Sequence, residues 1–355
     1  MKTKVTAKPF GILQDGREVT AYTLHSGESY VTVLDLGGIV HSVVVPDQAG
    51  ALVDVALGYD TPQEYFDKGG SLGVICGRFA NRIEKGNLTV DGTTYHLYTS
   101  DRGNHIHGGK VGFAKKIWQA EIITDKAGNE ELSLSLYSPD GEENYPGNLK
   151  VQVIYSFVDG ALTLDYIALS DKATAINLTN HAYFNLNGAG SGSALLHTLW
   201  LDAESYLSTD ATMIPRAVKK VAGTPFDFRV PKTVKEGDEL LSSDEDLQKG
   251  QGFDHCFLLK KGRDRSRPFA ILRGEKTGIE LQCFTTQPSV QLYAGNFLKM
   301  EGKGGKYYGR CDGLCLETQE PPDNVNQPPL QEYGYSVYAA GEVYHYITRF
   351  AFGTV

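Results

Sequence analysis

The chain has 355 residues, of which 41% are hydrophobic and 22% charged, with a formal net charge of −9. That composition excludes a disordered chain, and the acidic balance argues against nucleic acid or an anionic membrane surface as the main partner. The apolar runs fall well short of the roughly 18 residues of a spanning helix, and the opening MKTKVTAKPF lacks the apolar core of a secretory signal, so a cytoplasmic location is expected.

Twenty tyrosines, forty glycines and many Val/Thr/Leu alternations favour strands joined by turns. Tyr30 to Val45 reads as two strand runs around a bend at Gly37-Gly38. A strand from Val53 leads into a short helix near Thr61 to Phe66, with Thr61 and Glu64 spaced as a capping box. In GVICGRFANR, apolar residues run into Arg78, Asn81 and Arg82, which form either a surface charge patch or a set of donors to a polar ligand. Leu88 to Tyr98 is a hairpin turning at Asp91-Gly92.

NHIHGG places His105 and His107 two apart, on the same side if the segment is extended. No acid or thiol follows nearby to complete a metal site, and a solvated loop is the plain alternative. Leu132 to Ser138, Leu149 to Val158 and Ala161 to Ser170 alternate as consecutive antiparallel strands, the last two joined by Asp159-Gly160. The turn-rich SPDGEENYPG separates the first two.

NLTNHAYFNLNG, Asn177 to Gly188, is polar where a buried strand is apolar. Burying such groups costs free energy unless each finds a partner. On a strand, His181, Tyr183 and Asn185 would share one face, aimed at a ligand. Leu196 to Asp210 returns to strand, and Pro215, Pro225 and Pro231 mark an irregular connection through Lys249. GFDHCFLL puts Asp254 and His255 at the head of an apolar run; Gly278 to Leu298 is two strands around Gln287-Pro288, and Gly341 to Phe352 is the final strand. Glu317 adjoins the run Leu314-Cys315-Leu316, where a carboxylate is costly unless paired or used. The cysteines, Cys76, Cys256, Cys283, Cys311 and Cys315, are odd in number and scattered, so free buried thiols are expected rather than disulfides. With no repeat and no evident boundary, residues 1–355 read as one large antiparallel β-domain of packed sheets.

No phosphate-cradling glycine loop, nucleophile elbow or H-E-x-x-H motif is present. What remains are acid and base side chains, His107, His181, Asp254 and Glu317, with Arg78, Asn81, Arg82, Tyr183 and Gln291 beside them. Such a set suits proton transfer on a neutral polyol without a cofactor or metal.

GRFANRI, NHIHGG, SPDGEENYPG, NLTNHAYFNLNG, GFDHCF, TTQPSVQLYAGNF and CLETQEPPDNVNQP, in this order along nearly the whole chain, resemble the aldose 1-epimerases, the galactose mutarotases. The resemblance implies an all-β galactose mutarotase-type supersandwich with few short helices, and interconversion of the α and β anomers of free hexoses such as galactose and glucose. It implies His181 as general acid, Glu317 as general base and His107 as the residue that holds and polarises the sugar. Asn81, Arg82, Asp254, Gln291 and Tyr183 match sugar-binding positions, and Arg78 belongs to the same motif. It implies a monosaccharide as partner and a monomer or homodimer. Two positions depart from the family pattern: Ala114 stands where an acidic residue is usual, bearing on loop anchoring near His107, and Asn144 replaces a common glycine. The rival readings are a hexose-6-phosphate 1-epimerase, a non-catalytic sugar-binding protein, and a polysaccharide-cleaving enzyme on a similar sandwich. The last needs a second carboxylate in an acid role, which the motifs do not supply.

Overall fold

The computed structural model describes residues 2–355. A nine-stranded antiparallel sheet forms the broad layer, in the order Gln119–Thr124, Glu130–Ser138, Leu149–Val158, Ala161–Ser170, Val343–Thr354, Ile279–Thr285, Ala270–Arg273, Thr198–Leu201 and Lys232–Thr233. The C-terminal strand Val343–Thr354 thus sits mid-sheet and ties the two halves together. A five-stranded meander, Lys4–Ile12 to Leu52–Asp54, flanks it, and a second five-stranded sheet runs Pro215–Lys220, Ala203–Thr209, Asp254–Leu259, Ser289–Tyr293, Cys315–Gln319. One apolar cluster joins these layers, from Val31 and Val43 through Leu134, Val153 and Leu164 to Phe257, Leu292 and Phe350. Alternation explains the layering: Leu149–Val158 buries every second residue.

The local turn chemistry holds. Both residues of Asp91-Gly92 and of Asp159-Gly160 have positive φ, as a tight two-residue hairpin demands. Thr61 caps its helix with a complete capping box. Gly37 is required at its bend: φ is +64°, and a Cβ there would lie 2.4 Å from the carbonyl oxygen of Ala114. The five cysteines are free and buried.

The expected irregular connection after Pro215 is more ordered than its prolines suggest. Pro215 opens an edge strand, where a missing N–H is tolerated. Two short helices follow, Val234–Asp238 with a Thr233–Glu236 capping box and Glu245–Gly250 capped by Asp244. The expected strand through NLTNHAYFNLNG is also shorter: only Thr179–Asn180 pairs regularly, against Ile75–Cys76. Beyond it the chain is held by isolated bridges at Phe184.

Candidate active site

Register on the second five-stranded sheet gathers the first group of polar side chains. Gln291 stands opposite Glu317, and Tyr293 opposite both Asp254 and Cys315. Partners in register share a sheet face, so these five side chains converge. Cys315–Gln319 is the outer strand of that sheet, which leaves room beside Glu317 for the loops that carry the histidines.

His181 follows the short strand Thr179–Asn180. Its own amide donates to the Val74 carbonyl and its carbonyl accepts from Gly73, both at 2.9 Å. The ring stacks on Tyr183 with centroids 5.0 Å apart and meets Tyr293 edge-on. Its Nε2 lies 3.7 Å from Glu317 Oε1, and its Nδ1 lies 3.5 Å from Cys315 Sγ. His107 arrives from the strand His105–Ile106, paired with Arg82–Ile83. Here φ turns to +50°, so the extended run ends at Ile106 and the two histidines do not point together. His105 goes inward to Tyr145 Oη and the Tyr98 carbonyl, whereas His107 lines the cleft edge-on to His181.

The cleft has a volume of about 220 Å³ and is lined by Asn81, Arg82, His107, His181, Tyr183, Asp254, Gln291 and Glu317. Asp254 Oδ1 accepts from Gln291 Nε2 at 2.6 Å, and Arg82 donates from Nε to Asp101 at 2.6 Å while its Nη2 lies 3.8 Å from Asp254. Two buried acceptors, Glu317 Oε2 and Gln291 Oε1, have no partner among the described residues. Buried acceptors left bare are costly, and hydroxyl donors of a bound polyol would satisfy them.

Two expected residues lie elsewhere. Arg78 is not in the cleft: its guanidinium donates to the carbonyls of Ser138, Pro139 and Pro146 and to Ser138 Oγ, fastening the acidic loop. Asn185 turns away from His181 and Tyr183, because the strand has already ended; its amide donates to the Gly192 and Asp312 carbonyls. Near Ala114 the segment is anchored by that acidic loop. Glu143 accepts from the Lys110 and Val111 amides at 3.1 and 2.8 Å and so holds the segment after His107, and Glu142 pairs with Lys116. Asn144 donates to the His96 carbonyl at 2.8 Å.

Comparison with known proteins places this geometry. The family model for aldose 1-epimerase matches residues 20–351. The chain belongs to the aldose 1-epimerase family. It is 40% identical to the galactose mutarotase of Mus musculus over 98% of both chains, and 35% identical to the aldose 1-epimerase of Escherichia coli K12 over 95% of this chain and 96% of that one. The crystal structure of galactose 1-epimerase from Lactobacillus acidophilus superimposes with a TM-score of 0.85 at 29% identity, covering 99% of each chain. The galactose mutarotase-type β-fold expected from the motifs is therefore the one observed.

Sequence reasoning missed some residues of this epimerase cleft. Tyr293 lines it two positions after Gln291, and strand alternation alone would have found it. Asp101, Arg102, Gly70 and Ser71 come from loops with no such signal.

Burial sets the protonation of the pair. Desolvation, reinforced by the Asp254 charge and opposed by Arg82, raises the Glu317 carboxyl well above its ordinary range. Desolvation lowers His181 to about 4, against the pull of its backbone hydrogen bond and of Asp254. His107 is pushed well below its usual value by desolvation, then by His181 and Arg82. Burial thus favours a protonated Glu317 beside a neutral His181, one proton between two groups.

The donor atoms of His107, His181 and Glu317 lie within 4.8 Å of one another, close enough to suggest a cation site. The hydrogen bonding opposes it. The Asn81 amide donates to His107 Nδ1 at 3.2 Å, so a neutral ring carries its proton on Nε2 and has no lone pair left for a metal. The same arrangement leaves Nε2–H as a donor at the cleft.

Proposed function

We propose that this aldose 1-epimerase interconverts the α and β anomers of a free hexose, galactose or glucose, by passing protons between the sugar and the Glu317–His181 pair. The observation that carries the reading is the 3.7 Å approach of two buried, oppositely shifted groups with an unpartnered carboxylate oxygen beside them.

Glu317 takes the proton from the C1 hydroxyl. The C1–O5 bond breaks as the C1 carbonyl forms, and protonated His181 delivers its proton to O5. Rotation about C1–C2 presents the other carbonyl face. His181 then removes the proton from O5 as it attacks C1, and Glu317 returns its proton to O1. The pair holds one proton throughout. With the sugar closed it is carboxylate and imidazolium; with the sugar open it is carboxylic acid and imidazole. The buried site favours the second state, so burial stabilises the protonation state that accompanies the open chain. His107 Nε2–H is placed to polarise the sugar, while Asn81, Arg82, Asp254 and Gln291 hold hydroxyls and Tyr183 stacks on His181 to fix its plane.

The free-sugar reading is favoured over a hexose 6-phosphate. Arg82 is engaged by Asp101 and Asp254, and Arg102 at the rim donates to backbone carbonyls, so the cleft offers no uncommitted cation pair for a phosphate. The reading further takes residues 1–355 as a single domain, supported by the apolar cluster that joins all three large sheets. It takes the location as cytoplasmic, supported by five buried free thiols. No helix among the described residues is long and apolar enough to cross a membrane.

The test is polarimetry. Freshly dissolved α-D-galactose should equilibrate faster with the wild type than with buffer, and Glu317→Gln at equal concentration should lose that acceleration. A wild type that leaves the spontaneous rate unchanged for every free hexose would sink the reading.

A further inference from the structure

A second cavity lies at the far ends of the strands that build the cleft. Its volume is about 540 Å³, within the roughly 300–1,000 Å³ of small-molecule sites. Asp254 opens the strand Asp254–Leu259 in the cleft, while Leu259 and the following turn wall this cavity; Gln291 points into the cleft, while Gln287 and Pro288 line the cavity.

The lining is cationic. Lys260, Lys261, Arg263 and Arg265 all border it. Glu332 pairs with Lys261 at 3.4 Å, but Lys260, Arg263 and Arg265 have no carboxylate within salt-bridge reach among the described residues. Arg263 is the anomaly. Its Nη2 donates to the Thr285 carbonyl and its plane lies over Phe269, yet its Nη1 is buried without an acceptor. The residue is half-buried, but a guanidinium nitrogen withdrawn from water with no acceptor is costly unless an anion completes it. Gln287, 3% exposed, presents the complementary defect. Its Nε2 donates to Tyr344 Oη at 2.9 Å, while Oε1 accepts from nothing. One buried donor without an acceptor and one buried acceptor without a donor thus belong to two residues that line a single cavity, with Tyr333 at its wall.

We propose that this cavity binds a phosphorylated polyol, its phosphate held by Lys260, Arg263 and Arg265 and one of its hydroxyls donating to Gln287 Oε1. The site is separate from the catalytic cleft and does not depend on the anomer chemistry assigned there.

The probe is sorbitol 6-phosphate, which has no anomeric carbon and cannot be turned over. Calorimetric titration into the full chain should show one site that survives saturating galactose. The exposed double variant Lys260→Gln/Arg265→Gln should weaken it at least about ten-fold, the loss expected for charge-assisted contacts, while galactose mutarotation stays at the wild-type rate. Sorbitol alone should give no heat, and inorganic phosphate should bind at least about ten-fold more weakly than sorbitol 6-phosphate. Three results would overturn the proposal outright: no binding of sorbitol 6-phosphate at millimolar concentration, displacement by galactose, or affinity unchanged in the double variant. Inorganic phosphate binding as tightly as sorbitol 6-phosphate would remove the polyol from the assignment and overturn it in this form.

Discussion

Glu317 and Glu320 lie three residues apart on one chain segment, and both are buried, at 2% and 1% exposure. Glu320 is saturated. Tyr338 Oη and Tyr346 Oη donate to its Oε1 at 2.9 and 2.8 Å, and Ser336 Oγ and Asn324 Nδ2 donate to its Oε2 at 2.9 and 3.0 Å. Glu317 has a histidine at 3.7 Å from one oxygen and nothing on the other. Four donors around a carboxylate satisfy its oxygens and make it a structural post. A buried carboxylate with an oxygen left without donors has its proton affinity raised by desolvation and is free to exchange that proton with a ligand. Burial alone therefore does not single out the carboxylate proposed for proton transfer; burial without donors does.

Exchanging each glutamate for glutamine separates the two roles. Glu317→Gln should lower kcat by about 100- to 10,000-fold with little change in the urea midpoint. Glu320→Gln should do the reverse: its new amide nitrogen meets hydroxyl donors it cannot accept, a loss of about 3 kcal/mol, read in urea unfolding, with the folded fraction still active. If Glu320→Gln removed activity at unchanged stability, the contrast would fail.

The pH profile sharpens the same point. In the proposed mechanism, activity needs one proton on the Glu317–His181 pair. As pH falls, His181 takes up a second proton near its lowered value of about 4, and no base remains. As pH rises through the raised Glu317 pKa, the only proton leaves and no acid remains. The plateau in kcat/KM should extend from just above pH 4 to well above the ordinary carboxylate range, and Glu317→Gln should abolish the alkaline limb. An alkaline limb at ordinary carboxylate pH would show that the carboxyl is not desolvated in the working enzyme.

How much of this was legible depended on whether a residue broke a pattern. His181 and Glu317 interrupt apolar or strand-like runs, and the conflict between polarity and expected burial pointed to them before any contact was known. Glu320 follows the same run but lies before Pro321-Pro322, where a turn residue looked ordinary, so its buried role left no trace. Asn185 was misjudged because alternation was extended past Asn180, where regular pairing stops. The role of Arg78 stayed open because adjacency in a motif does not give direction: Arg82 faces the cleft, and Arg78 faces the loop of Ser138 to Pro146. The Val234–Asp238 helix was readable, since Thr233 and Glu236 carry the same capping signal used at Thr61, but the surrounding prolines masked it.

Arg78→Gln should accordingly behave as a Glu320-type change. Losing charge-assisted bonds to three carbonyls should cost about 2 kcal/mol, read as a lowered thermal midpoint. Any effect on galactose turnover should appear mainly in KM, through the Glu143 contacts that hold the segment after His107. A large kcat loss at unchanged stability would instead put Arg78 on the sugar.

The smallest expected effect comes from Cys315. Its Sγ lies 3.5 Å from His181 Nδ1, on the side of the ring away from Glu317, and burial keeps it a thiol by raising its pKa. When His181 carries its second N–H, Nδ1–H needs an acceptor, and sulfur is a weak one. A hydroxyl oxygen accepts better, so Cys315→Ser should favour the imidazolium and move the acid limb of the profile upward. Cys315→Ala leaves Nδ1–H bare and should move the limb downward. Both shifts should stay within about one pH unit, since one neutral hydrogen bond is worth about 1 kcal/mol. Opposite displacements in the two variants would show that Nδ1 senses this position and that the His181 proton is tuned from behind. Shifts of the same sign would mean that the thiol only fills space, leaving the bare carboxylate of Glu317 and the desolvation of the ring to set the pair's proton affinity.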